Sequence, residues 1–267
     1  MSRLAATFGR LREAREKGLI TFITAGDPTL AATVPALNQL ADAGADVLEL
    51  GVPFTDPEAD GPSIQRSSER ALLNGVTLRT SCEQVALFRR ENDTTPVVLM
   101  GYMNPILALG LEQFAQLASQ SGVDGLIVVN LPPEEADELR SVLEPFDIDL
   151  ILLVAPTTPL ERIETLANSG SGFLYYVSIK GITGADHLDV TDVERKVFSI
   201  KQVTDLPVSV GFGIKTPETA AAVAKVADAI VVGSALVETL SRTTTLAESL
   251  KDIHELTSAL KRSIRAC

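Results

Sequence analysis

Two carboxylates on either side of a turn-rich loop are the first candidates for chemistry. Glu49 lies inside the apolar run Val47-Leu48-Glu49-Leu50, where a parallel strand buried on both faces normally carries no charge. Asp60 follows on the loop after that run. Because burial disfavours the charged form, we expect the pKa of Glu49 to be raised, so that the group exchanges protons near neutral pH. Two acids in different surroundings predict proton-transfer chemistry.

Each acid also has a purely structural interpretation. A buried Glu49 would be paired with a basic side chain, but no predicted strand contains a Lys or Arg well placed to reach it. Asp60-Gly61-Pro62 fits the start of a helix as well as it fits a catalytic carboxylate. Asp56 and Glu58 lie on the same loop, and repulsion among these charges predicts a loop that stays mobile until a ligand or partner neutralises it.

A tyrosine and a glycine-containing loop follow near the sixth predicted strand. Tyr175 and Tyr176 are neighbours, so the two-residue period of a strand points one of them inward. An inward tyrosine near a pocket mouth could bind a substrate hydroxyl, although tyrosines in strands more often simply pack. The segment 179–186, which contains Thr183 and Gly184, predicts either a lid or an ordinary mobile loop.

Two further glycine-containing turns suggest an anion site. Val210-Gly211-Phe212-Gly213 and Val232-Gly233-Ser234 close the seventh and eighth predicted strands. Each alone is also typical of a tight turn. Together they favour a phosphate site, since barrel enzymes often bind phosphate in the loops after these strands.

Apolar side chains near the same strand ends predict either a flat hydrophobic pocket or plain core. These candidates are Phe22, Ile64, Met100, Ile127, Leu153 and Phe212.

Short apolar runs alternate with segments of helical period along the chain. The runs at 19–24, 46–50, 97–101, 125–129, 150–154, 173–177, 208–210 and 229–232 predict strands. Helices are predicted at 31–43, 63–73, 81–90, 111–119, 133–143, 159–168, 193–202, 217–225 and 245–264. Eight strand–helix units predict an α/β fold, a (β/α)8 TIM barrel of about 250 residues. An open doubly wound sheet is less favoured, because no Gly-x-Gly-x-x-Gly follows the first run.

The N-terminal residues predict a helix that precedes the barrel. Leu4, Phe8 and Leu11 form one apolar face between charges, which indicates an amphipathic helix ending at Gly18 rather than a signal peptide. We therefore expect a single domain over 1–267, with the N-terminal helix in 1–18 and the barrel with its closing helices in 19–267. In such barrels the active site lies at the C-terminal ends of the strands.

Composition excludes several classes of function. Acidic side chains outnumber basic ones by 35 to 23, a net charge of -12 that repels nucleic acid and anionic membranes. Cys82 and Cys267 have no metal-ligand spacing and fit free thiols in a cytoplasmic protein. His187 and His254 lie far apart, so neither a metal site nor a hydrolase triad is indicated.

Taken together, the motifs resemble the tryptophan synthase alpha chain family. The resemblance rests on Glu49-Leu50-Gly51-Val52-Pro53-Phe54-Thr55-Asp56-Pro57 with Ala59-Asp60-Gly61-Pro62, and extends through Gly101-Tyr102-Met103-Asn104-Pro105, Leu131-Pro132-Pro133, Gly211-Phe212-Gly213 and Gly233-Ser234. It implies a carbon–carbon lyase of L-tryptophan biosynthesis, which cleaves indole-3-glycerol phosphate to indole and glyceraldehyde 3-phosphate in a retro-aldol step.

The resemblance also implies the roles of individual residues. Glu49 is expected to be the acid and base at the indole C3 atom, Asp60 the partner of the ring N–H, and Tyr175 an assisting hydroxyl. The substrate phosphate is expected to bind Gly184, Gly213, Gly233 and Ser234. The indole ring is expected to contact Phe22, Met100, Ile127 and Phe212, and Thr183 is expected to belong to the lid loop.

The implied partner is a tryptophan synthase beta chain, which receives indole in an α2β2 tetramer. Pyridoxal phosphate is expected in that partner, with no cofactor in this chain. Loops 53–60 and 179–189 are implied at the contact. Glu58, where the family more often has an apolar residue, and Asn130, where aspartate is common, depart from the pattern and bear on coupling to the beta chain.

Two other functions are weighed against this one. Lys180 could form a Schiff base with a carbonyl substrate, as in lysine-dependent barrel aldolases, which borohydride trapping would detect. A barrel that only binds a partner or a phosphate predicts that Glu49→Gln leaves every activity unchanged.

Overall fold

Eight parallel strands form a closed barrel in chain order, which confirms the predicted fold. The computed structural model describes residues 2–178, 190–211, 213–242 and 245–265. The strands are β1 Gly18–Thr24, β2 Val47–Gly51, β3 Val97–Gly101, β4 Gly125–Val128, β5 Asp149–Val154, β6 Leu174–Val177, β7 Val208–Gly211 and β8 Ala229–Val232. Most of their residues are buried on both faces, which explains why the strands read as continuous apolar runs.

Helices surround the barrel between successive strands. They are α1 Arg3–Ala14, α2 Thr33–Asp42, α3 Pro62–Leu73, α4 Leu78–Phe88, α5 Met103–Leu109, α6 Leu111–Ser121, α7 Ala136–Leu143, α8 Leu160–Ser169, α9 Val190–Lys201, α10 Pro217–Ala224, α11 Ser234–Arg242 and α12 Leu246–Arg265. Short 3-10 turns lie at Leu30–Ala32, Pro133–Glu135 and Glu144–Phe146. Two of the helices, α5 and α11, lie in segments for which the sequence predicted none.

The N-terminal helix closes the bottom of the barrel. Leu4, Phe8 and Leu11 belong to the same buried cluster as the inward side chains of the strands. The rings of Phe8 and Phe173 lie 5.5 Å apart. The helix ends at Ala14, not at Gly18 as predicted, because Arg15 adopts a left-handed conformation with φ 56°. Gly18 instead opens β1.

Aspartates at the bottom of the barrel tie neighbouring strands together. The bonds run from Leu19 N–H to Asp46 (2.8 Å), from Val97 N–H to Asp124 (2.7 Å) and from Val208 N–H to Asp228 (2.9 Å). A cation from a helix pairs with each carboxylate, namely Lys261, Arg89 and Lys201 respectively. These bonds pair backbone N–H groups at the strand starts that have no partner in the neighbouring strand, so they stabilise the end of the barrel opposite the C-terminal ends of the strands.

Of the helices in the described ranges, none has the length and apolar character needed to cross a membrane.

Candidate active site

Glu49 lies on β2 with its side chain inside the barrel. Val47, two residues earlier, belongs to the inner cluster, and the two-residue period of a strand gives Glu49 the same direction. The residue is 1% exposed, and neither carboxylate oxygen has a hydrogen-bond partner among the described residues. Burial, with a smaller contribution from the Asp60 charge, raises the pKa of Glu49 to about 8. The carboxyl group is therefore protonated at neutral pH and can act as an acid.

Asp60 lies on the loop between β2 and α3, over the mouth of the barrel. The helix begins at Pro62 with Gly61 at the N-cap, so the predicted helix start at Asp60-Gly61-Pro62 is confirmed, but the Asp60 side chain makes no cap bond to it. The Asp60 carboxylate instead accepts a hydrogen bond from the Tyr102 hydroxyl at 3.2 Å. Burial raises the pKa of Asp60 to about 6, while the Tyr102 bond lowers it. At neutral pH this carboxyl group is mostly ionised.

Tyr175 is the tyrosine of the adjacent pair that faces inward. It belongs to the inner cluster, whereas Tyr176 packs in the outer cluster between the strands and the helices. Burial raises the pKa of the Tyr175 hydroxyl well above its ordinary value, and the charges of Glu49 and Asp60 raise it further. The structure thus brings the three polar candidates into one electrostatic environment.

A small cavity opens at the mouth beside Asp60. It is lined by Phe22, Thr24, Gly51, Val52, Asp60, Ile64, Ser68, Met100, Gly101, Tyr102 and Val129. Ile127 is fully buried in the inner cluster and does not line this cavity; Val129, two residues later, does. The walls are mainly apolar and include the Asp60 carboxylate, but the enclosed space of about 10 Å³ holds no more than a water-sized molecule, so a flat ring could enter only if the walls move apart.

Glycines allow the rings of the site to lie close to the backbone. A Cβ on Gly51 would lie 2.5 Å from Cζ of Phe22, and a Cβ on Gly211 would lie 2.4 Å from the Tyr175 hydroxyl oxygen. Both distances are far below van der Waals contact. Glycine at these two positions therefore makes room for the ring of Phe22 and for the hydroxyl of Tyr175.

The candidate phosphate residues are divided between described and undescribed segments. Gly213 is exposed and has φ 77°, a left-handed conformation that favours glycine. Ser234 is the first residue of α11, and Gly233 precedes it, so the N-terminal N–H groups of that helix lie at the C-terminal end of β8. Gly184, Thr183 and Phe212 lie outside the described residues, as do Lys180, His187 and Cys267.

The structural role of Tyr102 was not predicted from the sequence. This residue directly follows β3, at the catalytic end of the barrel, and its position there was the available signal. Nor was a role predicted for Gln65, whose amide donates to the backbone oxygen of Asp60 at 2.9 Å. The Tyr102 hydroxyl contacts a residue far away in the sequence, so local pattern alone does not indicate that bond, whereas Gln65 is a near neighbour of Asp60 along the chain.

The two departures from the family pattern occupy different settings. The Asn130 side-chain oxygen accepts the Met103 N–H at 2.9 Å, at the start of α5. It thereby supplies one of the acceptors that the helix start lacks. Glu58 is exposed on the Asp60 loop; burial and the Asp60 charge raise the pKa of Tyr102, and the Glu58 charge makes a smaller contribution in the same direction.

The arrangement can transfer a proton to an apolar ring and stabilise positive charge beside it. A protonated Glu49 and the hydroxyl of Tyr175 lie inside the barrel, and an ionised Asp60 lines the small, mainly apolar cavity at its mouth. Within the described ranges, no group of three or more His, Cys, Asp or Glu side chains could hold a metal ion.

Comparisons with known proteins agree with this geometry. Residues 8–265 match the family model described as tryptophan synthase alpha chain. The tryptophan synthase alpha chain of Methylococcus capsulatus is 50% identical over 267 residues, which is 100% of both chains. That of Chromobacterium violaceum is 52% identical over 265 residues, or 99% of this chain and 100% of the relative. The crystal structure of tryptophan synthase subunit alpha from Legionella pneumophila has a TM-score of 0.93 and 40% identity, and the match covers 100% of both chains.

Proposed function

The chain belongs to the tryptophan synthase alpha chain family, and on that premise we propose that Glu49, Asp60 and Tyr175 carry out the family's reaction in it. The reaction is the retro-aldol cleavage of indole-3-glycerol phosphate to indole and glyceraldehyde 3-phosphate. It is a carbon–carbon lyase step of L-tryptophan biosynthesis, and the indole passes to a beta chain.

Glu49 is the acid and base in this proposal. Its proton goes to C3 of the indole ring, which breaks the aromaticity of the pyrrole ring and places positive charge on the ring nitrogen. The resulting carboxylate then takes the proton of the side-chain hydroxyl. As that oxygen becomes the aldehyde, the bond to C3 breaks and its electron pair restores the indole, so no net proton is gained or lost. The pKa of about 8 supports both steps, since the group is protonated before substrate binds and basic afterwards.

Asp60 and Tyr175 assist in different ways. An ionised Asp60 accepts the ring N–H and stabilises the charge that protonation at C3 creates there. Its pKa of about 6 supports this assignment, because the carboxylate form predominates at neutral pH. Tyr175 orients the substrate hydroxyl toward Glu49, and its position inside the barrel supports that role.

In the proposed orientation of the substrate, its indole ring occupies the cavity and its phosphate lies at the C-terminal ends of the strands. Phe22 and Met100, which line the cavity, contact the indole ring together with Phe212, and Val129 contacts it in place of Ile127. Gly213, Gly233 and Ser234 bind the phosphate, together with Gly184 and under a lid that includes Thr183. The start of α11 supports this orientation, because helix N-terminal N–H groups favour a dianion.

As an alpha subunit, the chain implies a beta-chain partner. We further propose that the assembly is an α2β2 tetramer and that pyridoxal phosphate is held by the beta chain. Residues 1–267 are proposed to form one domain, since the inner cluster includes side chains of α1 and of the strands.

The observation that carries the proposal is a fully buried glutamate without a hydrogen-bond partner in the described structure, close to an ionised aspartate. A carboxyl group of this kind is costly for the fold and is typical of a catalytic acid. If this carboxyl group serves the reaction and not the fold, its removal should lower activity without lowering stability, so the two effects can be measured separately.

The test measures indole release from indole-3-glycerol phosphate, with and without added beta chain. We expect Glu49→Gln to lower kcat by about 10²–10⁴-fold or more with an unchanged circular dichroism spectrum. Glu83→Gln, on the exposed face of α4, is the matched control and should retain activity. Wild-type turnover by Glu49→Gln would refute the role of Glu49, and a borohydride-trapped adduct would favour the Schiff-base alternative.

A further inference from the structure

The loop that carries Asp60 is largely exposed. Thr55, Asp56 and Glu58 are exposed to solvent. Turn bonds from Glu58 N–H to the Asp56 oxygen (2.9 Å) and from Asp60 N–H to the Pro57 oxygen (3.1 Å) order part of its backbone. Exposed turns of this kind open easily, so they do not by themselves hold a carboxylate in one place.

Tyr102 provides a buried anchor for this loop. It follows the last residue of β3, Gly101, and is 4% exposed. Its ring stacks on that of Phe54, near the start of the loop, with centroids 5.0 Å apart and an angle of 27° between the planes. Tyr102 is held in place because it directly follows a strand of the closed barrel. By stacking on Tyr102, Phe54 restricts the movement of the loop.

The hydroxyl of Tyr102 bonds to two consecutive residues of the loop. It accepts the Ala59 N–H at 3.1 Å and donates to the Asp60 carboxylate at 3.2 Å. A hydroxyl has one hydrogen, and the bond from Ala59 leaves that hydrogen directed to Asp60. Gln65 differs, because its amide donates only to backbone oxygens, those of Asp60 and Pro57.

We propose that Tyr102 is the positioning residue for the Asp60 carboxylate, fixing the loop at Ala59 and directing its hydroxyl hydrogen to Asp60 so that the group is ionised and in place before substrate binds. The inference rests on the proposed function of Asp60. Tyr102 itself exchanges no proton with the substrate. Its effect on the reaction passes through the charge state and the place of Asp60.

The electrostatics of the mouth support this assignment. Burial raises the pKa of Asp60, and the bond from Tyr102 lowers it. The titratable side chains that interact with this pair in the described structure are Glu49 and Tyr175 inside the barrel and Glu58 on the loop. A variant without the hydroxyl should therefore have Asp60 with a higher pKa, and fewer molecules should carry the ionised form near neutral pH.

The direct test is Tyr102→Phe, which keeps the ring and the stack on Phe54. We expect kcat/KM for indole-3-glycerol phosphate to fall about 10-fold or more, since a hydrogen bond to a charged group is lost. In the pH profile of kcat/KM, the midpoint of the acidic limb should move to higher pH by roughly one unit. Tyr176→Phe is the matched control; it removes the hydroxyl of a tyrosine that packs in the outer cluster and should leave both values unchanged. Gln65→Ala should lower kcat/KM without moving the acidic limb.

A double variant separates this inference from the proposed function. If Asp60→Asn alone retains wild-type activity, the function of Asp60 is wrong. If Asp60→Asn is impaired but Tyr102→Phe behaves like Tyr176→Phe, only the positioning role is overturned. Because Tyr102 acts through Asp60, adding Tyr102→Phe to Asp60→Asn should cause little further loss; a full additional 10-fold fall would overturn the inference.

A second variant covers the case in which Tyr102→Phe does not fold by circular dichroism. Phe54→Leu keeps the hydroxyl but removes the ring that stacks on Tyr102. A smaller fall in kcat/KM with an upward shift of the acidic limb would support the inference. An unchanged pH profile would overturn it.

Discussion

Replacing Glu49 by glutamine is expected to stabilise the fold, and the gain should depend on pH. In the folded chain, burial and the Asp60 charge raise the pKa of Glu49 from 4.5 to about 8. The unfolded chain exposes the carboxyl group to water and restores its ordinary pKa. Between these two values the folded state holds a proton that the unfolded state does not, so the stability of the wild type falls as pH rises through this window.

The size of the effect follows from the same two values. At about 1.4 kcal/mol per pH unit, ionising Glu49 inside the barrel costs the folded state up to roughly 5 kcal/mol. This cost is absent below pH 4.5 and complete above pH 8. Glutamine does not titrate, so the free energy of unfolding of the variant should exceed that of the wild type by an amount that grows as pH rises through this window.

Urea unfolding of the wild type and Glu49→Gln between about pH 5 and pH 9 measures this gain. Glu83→Gln removes an exposed carboxylate and provides the reference for a change of net charge alone. A free-energy difference between Glu49→Gln and the wild type that stays constant across the pH range would refute the argument. It would mean that the carboxyl group finds water or a hydrogen-bond donor in solution.

Further variants test the surroundings of the site. Gly211→Ala should lower kcat/KM by about 10²-fold in the indole assay, because the new Cβ displaces Tyr175 and a misplacement of about 1 Å has that effect. Asp124→Ala should lower the free energy of unfolding by about 3–5 kcal/mol in urea, since it leaves a buried cation and a strand N–H without their partner. Asn130→Asp should change the free energy of unfolding by less than about 1 kcal/mol, because a carboxylate that accepts the Met103 N–H at the start of α5 gains stability while the donation from Asn130 to Asn104 is lost.

Matched variants provide the controls for these measurements. Gly9→Ala adds a methyl group with nothing within 4 Å, so kcat/KM should not change. Asp137→Asn breaks an exposed ion pair with Arg140, worth at most about 1 kcal/mol. Normal kinetics of Gly211→Ala, or a loss in Asp124→Ala as small as in Asp137→Asn, would contradict the structural reasoning.

The strands were well predicted and the helix boundaries less well. Each strand of a barrel is buried on both faces, so its apolar run is visible without knowledge of its neighbours. The helix α5 was missed because it has only seven residues and directly precedes α6. The end of α1 was misplaced because Arg15, not a glycine, adopts the left-handed conformation there.

Residue type and order along the chain determined the family resemblance, the barrel and the list of candidate acids, because periodicity and motifs are properties of neighbouring residues. Only the tertiary structure decided that Tyr175 rather than Tyr176 faces inward, that Asp60 bonds to Tyr102 instead of capping α3, and that Glu49 has no described hydrogen-bond partner. The physical reason is that charge state and contact depend on desolvation and distance. Both are set when the barrel closes and brings loops from separate strands to one mouth.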